Sequence, residues 1–267
     1  MPTTIQKWLS GALHVEENIV AVDILASIIK AIELIISGNP ELYGIVYRTL
    51  FFSGTAVILA TLWGTPIALA ISLKDFRGKN TIKVFFNSLI GIPTVVLGLL
   101  LFLAFSNGGP LGFLGLLYTP SGIIIGEAIL VAPIIISIAT TAIEAVDPDI
   151  MNLAKTLGAS ESQAIVAVLK EAVNGVLLSN FASFNRAIAE LGVALLVGGN
   201  IAGTGNRTDV LTTAISRYTQ QGAFDLAIAL GIILMLLVIA INMTVVVARK
   251  AKILLAIVKP WVERIKR

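Results

Sequence analysis

Five stretches of this chain are long and apolar enough to cross about 30 Å of hydrocarbon, a distance that takes about 20 helical residues. They cover residues 43–73, 84–105, 121–143, 173–197 and 224–248. Lipid offers a backbone no hydrogen-bond partner, so such stretches must be helices or strands of a closed barrel. The alternation of a barrel strand is absent, which leaves helices. The fold class expected is therefore an all-α integral membrane protein with about five transmembrane helices. Composition agrees. Of 267 residues 57% are apolar and 13% charged, against about 25% charged in soluble domains.

Residues 19–36 are less decided. Asp23, Ser27, Lys30 and Ser37 recur at helical spacing as one polar stripe, with Glu33 beside it, and the other faces are Ile, Leu and Val. Two readings stand: an amphipathic helix lying in the interface, or a sixth span whose stripe packs on protein. The N-terminus lacks the continuous apolar core of a signal peptide. Three parts result: an N-terminal segment 1–40, a membrane domain 41–248 with a loop at 144–172, and a basic tail 249–267.

Charge placement sets the expected orientation. Lys74, Arg77, Lys79 and Lys83 follow the first span, and Lys155 and Lys170 follow the third. Arg249, Lys250, Lys252, Lys259, Arg264, Lys266 and Arg267 lie in the tail, which completes 13 of the 19 Lys and Arg. With five alternating spans all 13 fall on one side, and the positive-inside rule makes that side, with the C-terminus, cytoplasmic. The opposite loops, 106–120 and 198–222, carry only Arg207 and Arg217. The excess of basic residues is thus a matter of membrane orientation and gives no reason to expect nucleic acid.

There is no cysteine, and the single histidine, His14, cannot build a metal site alone. No nucleotide motif, metal cluster or nucleophile–base pair is visible, so no catalytic residue and no bound cofactor are expected. Prolines 66, 93 and 133 sit inside spans, where each removes a hydrogen bond and permits a kink.

The segment 144–172 carries the most local information. Asp147 before Pro148 is a helix start, a side-chain cap followed by proline at the first helical position. Ile150, Leu153, Ala154 and Leu157 fall at i, i+3, i+4 and i+7, an apolar face. Gly158 is placed to end the helix in a left-handed conformation. Ser160 with Gln163 forms a capping box for the next helix.

This segment resembles the cytoplasmic "EAA" loop of ABC importer permeases. Asn152-Leu153-Ala154, three residues and Gly158 stand where that family has Glu-Ala-Ala, three residues and Gly. Only Ala154 and Gly158 match strictly, and the later proline is missing from Val168-Leu169-Lys170-Glu171. The stretches "IGIPTVVLGLLLFLAFSNGGPLGFLGLLYTP", "FNRAIAELGVALLVGGNI" and "RTDVLTTAI" look like permeases of tungstate and molybdate oxyanion importers, the tungstate branch above all. The resemblance implies the type-1 permease fold, with Asn152 through Ser160 as a coupling helix in a cleft of an ATPase subunit. It also implies the partners: a second copy of the chain, two ATPases that bind ATP and Mg, and an external substrate-binding protein, all at a plasma membrane. Sulfate and phosphate importers remain alternatives, as does, more distantly, a secondary carrier.

Two further groups stand out. Arg186 and Glu190 lie four residues apart within the membrane domain, and intramembrane charge usually faces the bundle interior or a water-filled cavity. They read either as part of an anion pathway or as a structural pair. Gly198, Gly199, Asn200, Thr204, Gly205 and Arg207 make a polar outer loop, either a docking loop for the binding protein or a plain turn. Glu127, a lone carboxylate in the third span, reads as structural.

Overall fold

The computed structural model describes residues 24–202 and 207–265, and every described element is helical. In order these are α1 (Ile24–Ile36), α2 (Pro40–Leu73), α3 (Lys79–Leu89), α4 (Thr94–Phe105), α5 (Pro120–Glu144), α6 (Pro148–Thr156), α7 (Glu161–Ile188), α8 (Gly192–Leu196), α9 (Leu211–Gln220) and α10 (Phe224–Ile265), with a 3-10 turn at Gly112–Leu114. Four helices are long and apolar enough to cross a membrane: Pro40–Leu73, Pro120–Glu144, Glu161–Ile188 and Phe224–Thr244. The pair α3 and α4 makes up to one more, bent by 96°.

The stretch 84–105, expected as one span that Pro93 permits to kink, is two helices meeting at 96°. Pro93, with φ −61° and ψ 125°, stands at the start of α4 and has no amide hydrogen to continue α3. A correction concerns 173–197. The crossing helix α7 starts twelve residues earlier, at the capping box, and stops at Ile188. Residues 192–196 form the separate half-helix α8.

Helix α5 is the axis of the molecule. Of its most apolar stretch 72% is buried, against 33%, 22% and 17% for the other three spans. Ala128, Val131, Ala132 and Ile135 of α5 pack on Ala56, Val57 and Ala60 of α2 and Ala187 of α7. Small residues at these contacts let backbones approach closely, as in membrane bundles. Polar side chains add cross-links. Ser72 Oγ donates to the Thr140 carbonyl at 3.2 Å, and Thr61 Oγ1 donates to Asn180 Oδ1 at 2.7 Å.

The N-terminal helix α1 packs Ala31, Leu34 and Ile35 into a cluster with α2, α9 and α10. Lys30 and Glu33 face outward, beside exposed Ile29, Ile32 and Ile36. Its 13 described residues are shorter than a crossing helix. Asp23 and His14 lie outside the described residues.

The bundle has two distinct ends. One gathers the C-termini of α2 and α5, all of α3 and α6, and the start of α7; there Lys79 and Lys83 of α3 clasp Glu144 of α5 at 3.3 and 2.6 Å. The other end gathers α8, α9 and the starts of α2 and α5, where Tyr118 donates its amide to the Val197 carbonyl at 2.7 Å.

The half-helices α4 and α8 meet through two glycines. A Cβ on Gly98 would sit 2.6 Å from the Gly192 carbonyl oxygen, and one on Gly192 2.6 Å from the Thr94 backbone. Either methyl forces the backbones apart. Gly192→Ala is expected to destabilise the fold by about 1–3 kcal/mol, the usual cost of overpacking. Gly231→Ala, with nothing within 4 Å of the added methyl, should be near neutral. Thermal unfolding of the purified chain in detergent compares the two.

Candidate functional site

The helix α6 forms as its sequence dictates. Asp147 Oδ1 accepts the amide of Asp149 at 3.0 Å, capping the first turn behind Pro148. At the other end Gly158 N donates to the Lys155 carbonyl and Ala159 N to the Ala154 carbonyl, both at 3.0 Å. That crossed pair is a Schellman closure, and it requires the left-handed conformation Gly158 adopts, φ +88°. The next cap follows at once. Gln163 Oε1 accepts from Ser160 N at 2.8 Å, and Ser160 Oγ accepts from Gln163 N at 3.4 Å.

The expected apolar face of α6 divides in two. Ile150 and Met151 pack inward on a cluster of Ala139, Ile143, Val168 and Ala172, and Ala154 is half-buried. Leu153 and Leu157 point to solvent, 61% and 79% exposed, with Asn152 also exposed. Two leucines held outward on a helix anchored at both ends make a small, rigid apolar knob.

Arg186 and Glu190 do not share a helix face. The helix carrying Arg186 stops at Ile188, and Glu190 lies in the break before α8. Glu190 is buried and caps α8, its two carboxylate oxygens accepting the amides of Val193 and Ala194 at 3.0 Å each. Among the described residues Arg186 forms no ion pair with it. Helix geometry alone predicts the pair; the backbone break separates it. Thr212 donates its hydroxyl to the Glu190 carbonyl, which ties α9 to the same break. Glu127 of α5 is also buried, and its Oε2 has no hydrogen-bond partner among the described residues.

The loop after α8 is folded onto the bundle. Gly199 is exposed but pressed on the Tyr118 ring, and Asn200, φ +51°, donates to the Thr213 carbonyl at 3.1 Å. Thr208 is buried, donating to the Gly198 carbonyl at 2.6 Å and accepting from Ile201 N at 2.9 Å. Thr204 and Gly205 lie outside the described residues.

Arg207 belongs to an ionic cluster that sequence reading misses. Asp209, with a fully buried side chain, faces three guanidinium groups: Arg48 Nη2 at 2.8 Å, Arg207 Nη2 at 3.3 Å and Arg217 Nη2 at 3.8 Å. Arg48 Nε also donates to the Asp209 carbonyl at 3.0 Å, and the neighbouring Thr49 Oγ1 accepts from Leu211 N at 2.8 Å. Two adjacent residues of α2 thus receive the whole entry into α9. Arg217 lies 4.7 Å over the Tyr218 ring, and Tyr218 OH donates to Glu41 at 2.7 Å. Burial and then that bond raise the Tyr218 phenol above its ordinary pKa. The signal available in the sequence was Arg48, an ionisable residue within an apolar span.

Asp209→Asn leaves three partly buried cations without their carboxylate. Removing one partner of a buried pair is strongly destabilising, and a loss of about 3 kcal/mol is expected in thermal unfolding. Gly158→Ala should cost about 1–2 kcal/mol by imposing a left-handed conformation on an L-residue. It should loosen only α6, which backbone hydrogen exchange localises.

Comparison with known proteins places the chain. Residues 49–252 match the family described as "Binding-protein-dependent transport system inner membrane component". The chain is 35% identical over 212 residues to the tungstate uptake system permease protein of Peptoclostridium acidaminophilum, covering 79% of this chain and 92% of that one. It is 36% identical over 203 residues to a probable anion ABC transporter permease protein of Haloferax volcanii, covering 75% and 88%. At lower identity, 27% over 215 residues, it is similar to a sulfate transport system permease protein of Salmonella typhimurium, covering 76% of each. Among solved structures, the MetNI methionine ABC transporter in inward-facing conformations has the same fold, with a TM-score of 0.65 at 17% identity over 80% of this chain and 96% of that one. The chain belongs to the inner-membrane permeases of binding-protein-dependent ABC importers.

Proposed function

We propose that this chain is the pathway-forming subunit of an ATP-driven importer of tetrahedral oxyanions, with tungstate as first substrate and molybdate as second. The observation that carries the transport reading is the outward pair Leu153 and Leu157 on a helix capped at both ends. An apolar knob on a rigid mount fits a cleft in another protein, and in an importer that protein is the ATPase. The relatives named for tungstate and for anions support the substrate class. Sulfate is the second reading, favoured by the 27% relative.

The assembly has two copies of this chain, two ATPases that hold ATP and Mg, and an external binding protein. The α6 end lies in the cytoplasm, because 13 basic residues flank that side of the spans. The opposite end, with α8, α9 and the loop through Gly199, Asn200 and Arg207, meets the binding protein. ATP closes the ATPase pair, α6 moves with it, and the two copies part on the outer side to accept the anion. Hydrolysis reverses the motion. The chain binds no cofactor in this scheme. Glu190, spent on capping α8, holds the pathway wall, and Arg186, unpaired with it, is the residue of the two free to meet a passing anion.

Reconstitution with the ATPase and binding protein tests this. Tungstate uptake should require ATP. The double substitution Leu153→Asp, Leu157→Asp should abolish uptake and at least about tenfold weaken ATPase association, with the membrane domain still folded. Arg186→Glu should abolish uptake without loss of assembly; loss of assembly assigns Arg186 a structural part. Uptake of sulfate alone overturns the substrate, and uptake without ATP overturns the importer reading.

A further inference from the structure

The cluster around Asp209 is electrically incomplete. Three guanidinium groups, always protonated, surround one carboxylate. Among the described residues the other acid nearby is Glu41, which stands 4.0 Å from Arg217 and already accepts the Tyr218 hydroxyl. Even counting both acids, one positive charge is left over. A structural clamp needs no surplus: one arginine satisfies one buried carboxylate, and like charges gathered in a partly desolvated place repel.

The hydrogen bonds are incomplete too. Arg207 Nε and Arg217 Nη2 are buried nitrogens with no hydrogen-bond partner among the described residues, whereas Arg48 Nη2 is held by Asp209 Oδ1 at 2.8 Å. Buried donors are normally satisfied, so two spare ones beside a single carboxylate can take a further acceptor. The cluster is graded in depth. The side chains of Arg48 and Arg217 are 14% and 16% exposed, and that of Arg207 is 33%. Arg207 thus forms the lip, and the other two supply positive field from beneath.

We propose that Arg48, Arg207 and Arg217 form a receiving site for a free tetrahedral oxyanion dianion, at the end of the permease opposite α6. The guanidinium fork matches the edge of such an anion with two parallel hydrogen bonds. A doubly charged guest is drawn to the surplus positive charge twice as strongly as a singly charged halide at the same distance, and a halide presents no oxygen edge for the fork to take. Asp209 keeps the arginines splayed in the empty state and weakens the site, so that the anion is held and then released. This rests on the oxyanion-import reading and adds the place where the anion first meets the chain. A lipid phosphate has similar chemistry and is the competing source.

The test uses the complete permease–ATPase assembly in nanodiscs, without binding protein. Equilibrium binding of sodium tungstate is measured in chloride buffer, with sulfate as competitor. Saturable binding is expected, weakened at least about tenfold in Arg207→Gln and less in Arg207→Lys, which keeps the charge and loses the fork. Arg217→Lys gives a second variant if Arg207→Gln fails to assemble. The proposal is overturned if the unaltered assembly binds no tungstate, or if Arg207→Gln binds it equally. It is also overturned if tungstate binds only after phospholipid is stripped into detergent, which assigns the cluster to a headgroup. Binding intact but affinity for the binding protein lost in Arg207→Gln overturns it in favour of a docking role. The parent reading fails separately, by absence of ATP-dependent tungstate uptake in the complete assembly.

Discussion

One carboxylate holds the end of the bundle opposite α6 together. Glu190 lies where α7 stops and α8 has not begun, inside the membrane domain, where freed amides find no water. Its two oxygens take the amides of Val193 and Ala194, and the backbone break becomes tolerable because a side chain closes it. A negative charge at a helix start is also favoured by the peptide dipoles, though α8 is short. The rest follows from that closure. With α8 fixed, Gly192 presses on α4 and Val193 packs with Leu101 and Phe105. With the Glu190 carbonyl fixed, Thr212 anchors α9, and with α9 in place Arg217 reaches Asp209.

What was legible in the sequence was local. Asp147-Pro148, Gly158 and Ser160 with Gln163 each specify backbone conformation within four residues, and each forms as read. The five apolar stretches announce membrane helices because hydropathy sums over residues without regard to tertiary detail. It is blind to breaks for the same reason. Residues 84–105 and 173–197 are apolar on average, yet the first turns through 96° at Pro93 and the second breaks after Ile188. Arg186 and Glu190 are the clearest case: spacing of four pairs them only if the helix continues. The Asp209 cluster was out of reach because Arg48 and Asp209 lie 161 positions apart, and no local pattern joins them.

The two ends use charge in opposite ways. At one, Lys79 and Lys83 share Glu144 near the surface, where such pairs contribute little and α3 is held lightly against α5. At the other, Arg48 and Asp209 are partly or wholly out of water, where breaking the pair is expensive. The end beside α6 is thus lightly fastened and the end around Asp209 firmly fastened.

The unbroken run of α7 has a mechanical consequence. From its cap at Ser160 it proceeds without interruption to Ile188, 28 residues or about 42 Å of rod. Its foot is welded to α6 through Ile150 and Met151, and its head stops one turn short of the α8 elbow. A stiff rod neither stores nor absorbs a push, so a tilt of about 5° at the foot sweeps the head through about 4 Å, on the scale of a helical turn. The sweep at the head scales with the length of the rod, so a helix one turn shorter would sweep in proportion less for the same tilt.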